Sequence, residues 1–223
     1  MIGLLIPCYN AAAHVAEVVR GAAVHGQVIV VDDGSDDDSR AQAETAGAKL
    51  LTHSVNRGKG AALQTGFAYA RSQQMEAVLT LDADGQHDPS EIPKLLAAHA
   101  QSPSALIVGV RSFEAEVMPP RSRFGNAFST WWISRFSGRR HTDSQSGFRL
   151  YPRRLLEVEL RSQHFEAETE LLLRAAKLAV PLIEVPVRTI YRADHSTHFH
   201  GFADTLRVLR VVLSSPFWRK PKW

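Results

Sequence analysis

Short apolar runs alternate with polar, helix-period segments along the first 110 residues. Ile2–Ile6, Val28–Val31, Leu50–His53, Ala77–Leu81 and Leu106–Val110 read as strands buried on both faces, as in a parallel sheet. Between them, His14–Ala23, Ser39–Ala46, Gly60–Ser72 and Pro89–Gln101 read as helices. This βα repetition predicts an α/β fold with a doubly wound, mostly parallel sheet. The loops that follow the first four strands then share one edge, where open α/β sheets bind ligands. Beyond residue 118 the pattern changes. Pro119-Pro120 interrupts the chain, and Arg121–Arg140 reads as a basic helix carrying Phe124, Phe128, Trp131, Trp132 and Phe136. A polar loop at His141–Gly147 and an apolar run at Phe148–Tyr151 follow. Helix patterns come next at Arg153–Leu160 and Ala167–Leu178, then a strand at Leu182–Val187. A His-rich loop at Arg192–His200 leads into an amphipathic helix at Phe202–Leu213.

Charge divides the chain in the same place. Residues 1–118 carry 8 basic and 14 acidic side chains, whereas residues 119–154 carry 8 arginines and one acid. The basic segment calls for an anionic partner: phosphates or lipid headgroups. The chain of 223 residues is read as one domain with two unlike halves, 1–118 and 119–223. Cys8 is the only cysteine, which excludes a disulfide framework and a Cys-based zinc site and fits a reducing cytoplasm. No apolar stretch is long enough to span a bilayer, and Met1–Pro7 reads as a buried first strand rather than a signal peptide.

The densest chemistry lies in Asp82-Ala-Asp84-Gly-Gln86-His-Asp88, directly after an apolar run. Two carboxylates and an amide on one turn suit Mg2+ or Mn2+ and leave coordination sites for phosphates. Pro89 opens the next helix, with Glu91 in its first turn, where the helix dipole favours an acid. Asp32-Asp33-Gly34-Ser35 reads either as a turn or as an acceptor for a base or ribose; no GxGxxG follows the first strand, so a nicotinamide-cofactor site is disfavoured. Asn56-Arg-Gly-Lys59-Gly60 reads as a phosphate contact or a plain helix entry. The aromatic, Arg-rich stretch 121–140 reads as a core-packed helix or as one lying on an anionic membrane; nucleic acid is disfavoured because the acidic ligand edge would repel a polyanion. Asp143 reads as an ion-pair partner of a nearby arginine or as a base. His195, His198 and His200 read as a polar lid or a metal cluster.

Taken in order, Ile6-Pro7-Cys-Tyr9-Asn10, Val30–Ser35, Asn56–Gly60, Leu81–Pro89, Val108–Arg111, Arg123–Asn126, Asp143–Arg149, Phe165–Glu170 and Val185–Arg188 resemble the family 2 glycosyltransferases of the GT-A fold. Within that family they are most similar to the dolichyl- or polyprenyl-phosphate mannosyl- and glucosyltransferase branch. The resemblance covers residues 2 to about 213, and it implies a nucleotide-sugar- and metal-binding half at 1–118 and an acceptor-binding, membrane-facing half at 119–223. It implies inverting, metal-dependent transfer of a hexose from a nucleotide-diphosphate sugar, of GDP-mannose or UDP-glucose type, to a polyprenyl phosphate. It implies Pro7, Tyr9 and Asp33 at the nucleoside and Asp82, Asp84 and Gln86 at the metal. It places Arg111 and Arg123 at donor or acceptor phosphates, and Arg192 and Ser196 in a loop closing over the diphosphate. It also implies interfacial helices docked on the inner face of a membrane from the cytoplasmic side. Ala11-Ala12-Ala13 stand where many members have a Glu, a departure on the nucleoside side. The tail Pro216–Trp223 is expected to add interfacial contacts through Trp218 and Trp223.

An ionised lipid phosphate needs no strong base to attack, so catalysis would rest on positioning and charge. A lipid hydroxyl would need one, and Asp143 is then the nearest candidate. Two rivals remain at this level. A nucleotidyltransferase would share the sheet and the acids, but Pro7–Ala13 lacks the Gly-rich basic loop it needs. A non-catalytic membrane-binding module would be expected to lose Asp82 and Asp84.

Overall fold

A computed structural model describes residues 1–111, 130–190 and 201–218, with side chains from 205 onward in the last stretch. The expectations for Arg121, Arg123, Phe124, Phe128, Arg192, His195, Ser196, His198, His200 and Trp223 lie outside the described residues. Strands β1 (Ile2–Cys8), β2 (Gln27–Asp32), β3 (Lys49–Thr52), β4 (Ala77–Thr80), β5 (Leu106–Arg111), β6 (Arg149–Pro152) and β7 (Leu182–Val187) form one sheet in the order β3-β2-β1-β4-β6-β5-β7. The helices are α1 (Val15–Ala23), α2 (Ser39–Thr45), α3 (Lys59–Ser72), α4 (Ile92–Gln101), α5 (described over 130–137), α6 (Arg153–Leu156), α7 (Glu166–Lys177) and α8 (Gly201–Ser214). β1 to β4 run parallel, as do β5 and β7. β6 alone is antiparallel to its neighbours β4 and β5.

The period-two alternation of strand side chains splits the core into two layers. Leu5, Ile29, Val31, Val78 and Val108 face α3, α6 and α7, whereas Leu4, Ile6, Val28, Val30, Leu79 and Ile107 face α1, α2 and α4. In α1, Val15, Val18, Val19 and Ala22 supply the i, i+3, i+4, i+7 stripe that packs on the second layer. In α3, Gly66 brings the helix backbone against Leu5, where any Cβ would collide with the leucine.

Two helices differ from the sequence expectation. The segment from Pro89 starts as a 3-10 turn over Pro89–Glu91, and the α-helix begins at Ile92. Pro93 has no N–H to give the Pro89 carbonyl, so the α ladder has a gap there. The expected helix at 153–160 stops at Leu156; Val158 and Leu160 are buried in an irregular stretch that carries Arg161–Gln163 to the start of α3. α5 closes at Gly138, which takes the left-handed conformation (φ 68°) that favours glycine after a helix.

Candidate active site

The site grows from the loops at the carboxyl ends of β1 to β4. After β1, Asn10 adopts φ 48°, and its N–H donates to Ser35 Oγ at 3.0 Å while its Oδ1 accepts from the Asp36 N–H at 2.9 Å. Ala11 N–H donates to Ser39 Oγ (2.7 Å) and Ala12 N–H to Asp37 Oδ2 (3.0 Å). These bonds fix the half-buried Pro7 and Tyr9 beside the second loop. Gly34 takes φ 74° and lies so close to Val55 and Asn56 that a Cβ would strike their backbone. The second and third loops are therefore in contact.

Neither aspartate of the second loop stands open. Asp32 is wholly buried and pairs with Arg40 (2.9 Å). Asp33 is 2% exposed; it accepts from the N–H groups of Arg57 (3.0 Å) and Gly58 (2.6 Å), and His53 Nδ1 lies 2.5 Å from it. His53 Nε2 in turn meets the Thr65 hydroxyl at 2.8 Å. The structure thus commits the Asp33 carboxylate to shaping the loop 56–58. Gly58, at φ 94°, lies against His164 and Gln163, which brings this loop onto the segment preceding α7.

The fourth loop carries the Asp-x-Asp. Burial alternates along it: Leu81, Ala83, Gly85 and His87 are inside, and Asp82, Asp84, Gln86 and Asp88 are half-buried. The three expected metal ligands are thus all partly accessible to solvent. The Gln86 N–H donates to Asp84 Oδ1 (2.9 Å), and the Gln86 carbonyl accepts from Ile190 N–H (2.9 Å). His87 stacks on Phe148 (centroids 5.2 Å apart), accepts the Asp82 N–H at Nδ1 (3.2 Å) and bridges to Thr189. Arg188 reaches back to Glu91 (2.9 Å) and Asp88 (3.4 Å). Lys59, expected at donor phosphates, is placed between Asp82 Oδ1 (2.5 Å) and Glu168 Oε1 (2.9 Å). Burial opposes the charge on Asp82, yet Lys59 and His87 hold its carboxyl down at about 2. Among the described residues no group of three or more His, Cys, Asp or Glu forms a metal cluster. The hard oxygens of Asp82, Asp84 and Gln86, with Asp82 ionised, nevertheless suit Mg2+ or Mn2+.

From the other side comes the loop before β6. Asp143 is buried and forms a two-pronged pair with Arg111: Nε to Oδ2 at 2.6 Å and Nη2 to Oδ1 at 2.9 Å. Burial would raise its pKa, but the Arg111 guanidinium holds it below the usual carboxylate range. Such a carboxylate is a weak base, so the ion-pair reading of Asp143 is the one the geometry favours. Arg149, fully buried, spends its guanidinium on the carbonyls of Ser144 (2.7 Å), Ser146 (2.7 Å) and Glu168 (2.8 Å). Gly147 lies against Asp82, where a Cβ would collide with the carboxylate.

Of the aromatic stretch, Ile133 is buried and Trp132 and Phe136 pack on the core, whereas Trp131 is 60% exposed. Trp218 corrects the expectation of an interfacial residue. It is buried, with Arg174 over its ring at 4.6 Å and its Nε1 donating to Ser214; the exposed neighbour is Phe217. Sequence reasoning gave no individual role to Glu168, His87, His53, Thr65 or Arg149. The only signals were the runs Phe165–Glu170 and Asp143–Arg149, which do not say which member faces the turn.

Comparison with known proteins fits this geometry. The profile described as Glycosyl transferase family 2 matches residues 4–161. The UDP-N-acetylglucosamine–dolichyl-phosphate N-acetylglucosaminyltransferase of Methanococcus voltae is 31% identical, over 86% of this chain and 86% of its own length. The undecaprenyl-phosphate mannosyltransferase of Micrococcus luteus is 27% identical, over 84% and 83%. The fold is also that of glucosyl-3-phosphoglycerate synthase from Mycobacterium tuberculosis, solved with Mn2+, UDP-glucose and phosphoglyceric acid. That structure matches with a TM-score of 0.79 at 18% identity, over 98% of this chain and 80% of the other. The expected GT-A architecture is therefore the observed one, and the non-catalytic reading gives way. The chain belongs to glycosyl transferase family 2 and is a glycosyltransferase.

Proposed function

We propose that this enzyme transfers a hexose, with inversion, from a nucleotide-diphosphate sugar of GDP-mannose or UDP-glucose type to a polyprenyl phosphate at the cytoplasmic face of a membrane. The observation that carries the reading is the Asp82–Gln86 turn, clamped at the ligand edge beside the Arg111–Asp143 pair. Asp84 and Gln86, with Asp82 behind them, would hold Mg2+ or Mn2+. When bound, that ion neutralises charge on the departing diphosphate. Pro7 and Tyr9 would flank the nucleoside, and Asp33 would support that pocket through the loop 56–58. Arg111, held by Asp143, would present a cation to a phosphate. The pairing of Asp143 supports a phosphate acceptor, ionised already, over a hydroxyl that needs a base. The names of the relatives from Methanococcus voltae and Micrococcus luteus support the same acceptor class.

Membrane contact has support on the second half of the chain. Trp131 on α5 (60% exposed), Leu206 and Leu213 on α8 (50% and 49%) and Phe217 (86%) are exposed apolar side chains, accompanied by exposed Arg135, Arg140, Arg207 and Arg210. Apolar side chains among arginines suit an anionic lipid surface. No helix among the described residues is long and apolar enough to cross a membrane.

The test is thermal stabilisation by GDP, UDP, CDP and TDP, each with and without Mn2+, followed by transfer from the matching sugar nucleotide to a polyprenyl phosphate. A metal-dependent rise with one nucleotide, and label in the lipid product, is expected. No stabilisation by any of the four, or transfer only to a non-phosphorylated lipid alcohol, would overturn the reading.

A further inference from the structure

Three charged side chains from three separate elements meet behind the Asp-x-Asp turn. Lys59 opens α3, Asp82 follows β4 and Glu168 lies in the first turn of α7. One ammonium serves two carboxylates, at 2.5 Å to Asp82 and 2.9 Å to Glu168. The side chains of Lys59 and Glu168 are 14% and 9% exposed, and the Phe165 ring lies 5.7 Å from Nζ. With this much water excluded, charges act on one another more strongly than at an open surface.

A lysine here without Glu168 would do two things. It would neutralise Asp82 outright, making the turn less attractive to a dication. It would also offer donor phosphates a ready positive charge, the service otherwise given by the metal. Glu168 opposes both by taking its share of the ammonium. Sharing leaves the cluster of Asp82, Lys59 and Glu168 with a net negative charge, next to the further acid Asp84.

We propose that Glu168 is a positioning residue that makes donor binding depend on a divalent cation: it restrains Lys59, keeping the turn anionic and the ammonium away from the donor phosphates. The inference rests on the donor reading above and adds a residue and a regulation to it.

The test uses calorimetric titration of the intact protein with UDP and GDP, in EDTA and in Mn2+, for wild type and Glu168→Gln. Glutamine keeps the size and an acceptor oxygen for Lys59 and removes only the charge. In the variant, metal-free nucleotide affinity should rise about three- to tenfold, and the gain from Mn2+ should shrink by about tenfold. Mn2+ binding alone, followed by its electron spin resonance signal, should weaken in Glu168→Gln. It should tighten in Lys59→Met, which leaves both carboxylates uncompensated. Opposite signs in the two variants cannot come from general loosening. Equal weakening of nucleotide with and without Mn2+, or an unchanged ratio, would overturn the inference while leaving the donor reading intact. Absence of nucleotide binding by wild type under every condition would sink both.

Discussion

The loops of the ligand edge are tied down differently on its two sides. After β1, β2 and β3 the chain has backbone N–H groups to satisfy, and short acceptors do it: Ser35, Asp37, Ser39 and Asp33 receive the amides of residues 10, 11, 12, 57 and 58. Before β6 side chains also cap amides, those of Thr142, Ser144, Gln145 and Phe148, but here one donor with several N–H groups gathers carbonyls as well: Arg149 takes those of Ser144 and Ser146 and, in α7, that of Glu168. The acidic first half and the Arg-rich segment 119–154 are therefore in part the bookkeeping of backbone polarity, besides whatever they offer a ligand. The first side is a mesh of many small bonds, tolerant of losing one. The second adds to its local bonds one group, Arg149, on which three carbonyls hang.

Substitutions should expose that contrast. The largest effect is expected where the two sides meet, at Asp84: Asp84→Ala should lower sugar transfer at least about a hundredfold while the melting temperature stays within a few degrees, as read by labelled-lipid assay and calorimetry. On the hanging side, Arg149→Met takes the guanidinium donor from the carbonyls of Ser144, Ser146 and Glu168 at once and should cost about 3–5 kcal/mol in urea unfolding. Hydrogen exchange should rise first in residues 143–148 and in the first turn of α7. A loss of less than about 1 kcal/mol would show that water or relaxation replaces the guanidinium. On the mesh side, Gly34→Ala meets both a left-handed φ and the backbone of Val55 and Asn56, and should cost about 2 kcal/mol. Ser35→Ala, which removes one strand of the mesh, should cost about 1 kcal/mol or less.

A further effect is set by pH. Burial, then Arg149 and Arg139, push His141 down to about 4. The unfolded chain binds this proton near pH 6.5 and the folded one does not, so stability is full above pH 6.5 and falls as pH drops toward 4. The loss should be on the order of 2 kcal/mol, and His141→Gln should flatten that part of the stability profile. An unchanged profile would show that another group sets the slope.

Much of the fold was legible because each strand from Ile2 to Val110 announces itself locally as an apolar run, the first four with an Asn or Asp close behind. The Asp-x-Asp turn was legible for the same reason: Asp82, Asp84 and Gln86 lie within five residues. Long-range pairing was not. Nothing near Lys59 tells that Glu168, over a hundred residues away, shares its charge, and nothing near Asp33 tells that His53 and the amides of Arg57 and Gly58 absorb it. Trp218 was misread because a Trp in a basic tail has the composition of an interfacial anchor, and only the fold brings Arg174 over its ring. The antiparallel sense of β6 was likewise invisible, since a four-residue apolar run carries no direction.

That reversed strand has an architectural consequence. β1 to β4 reach the ligand edge as they end, whereas β6 leaves it as it begins, locked between β4 and β5. The segment between β5 and β6 therefore leaves and rejoins the sheet at the ligand edge, and exchanging it while keeping Asp143 and Gly147–Phe148 is expected to leave the register of the strands unchanged. Thr80 Oγ1 on the Gly147 carbonyl marks where the exchangeable part would be rejoined to the frame. The sheet would then serve as a socket for that segment. Grafting the corresponding insert from a relative with another acceptor is the natural way to redirect such an enzyme.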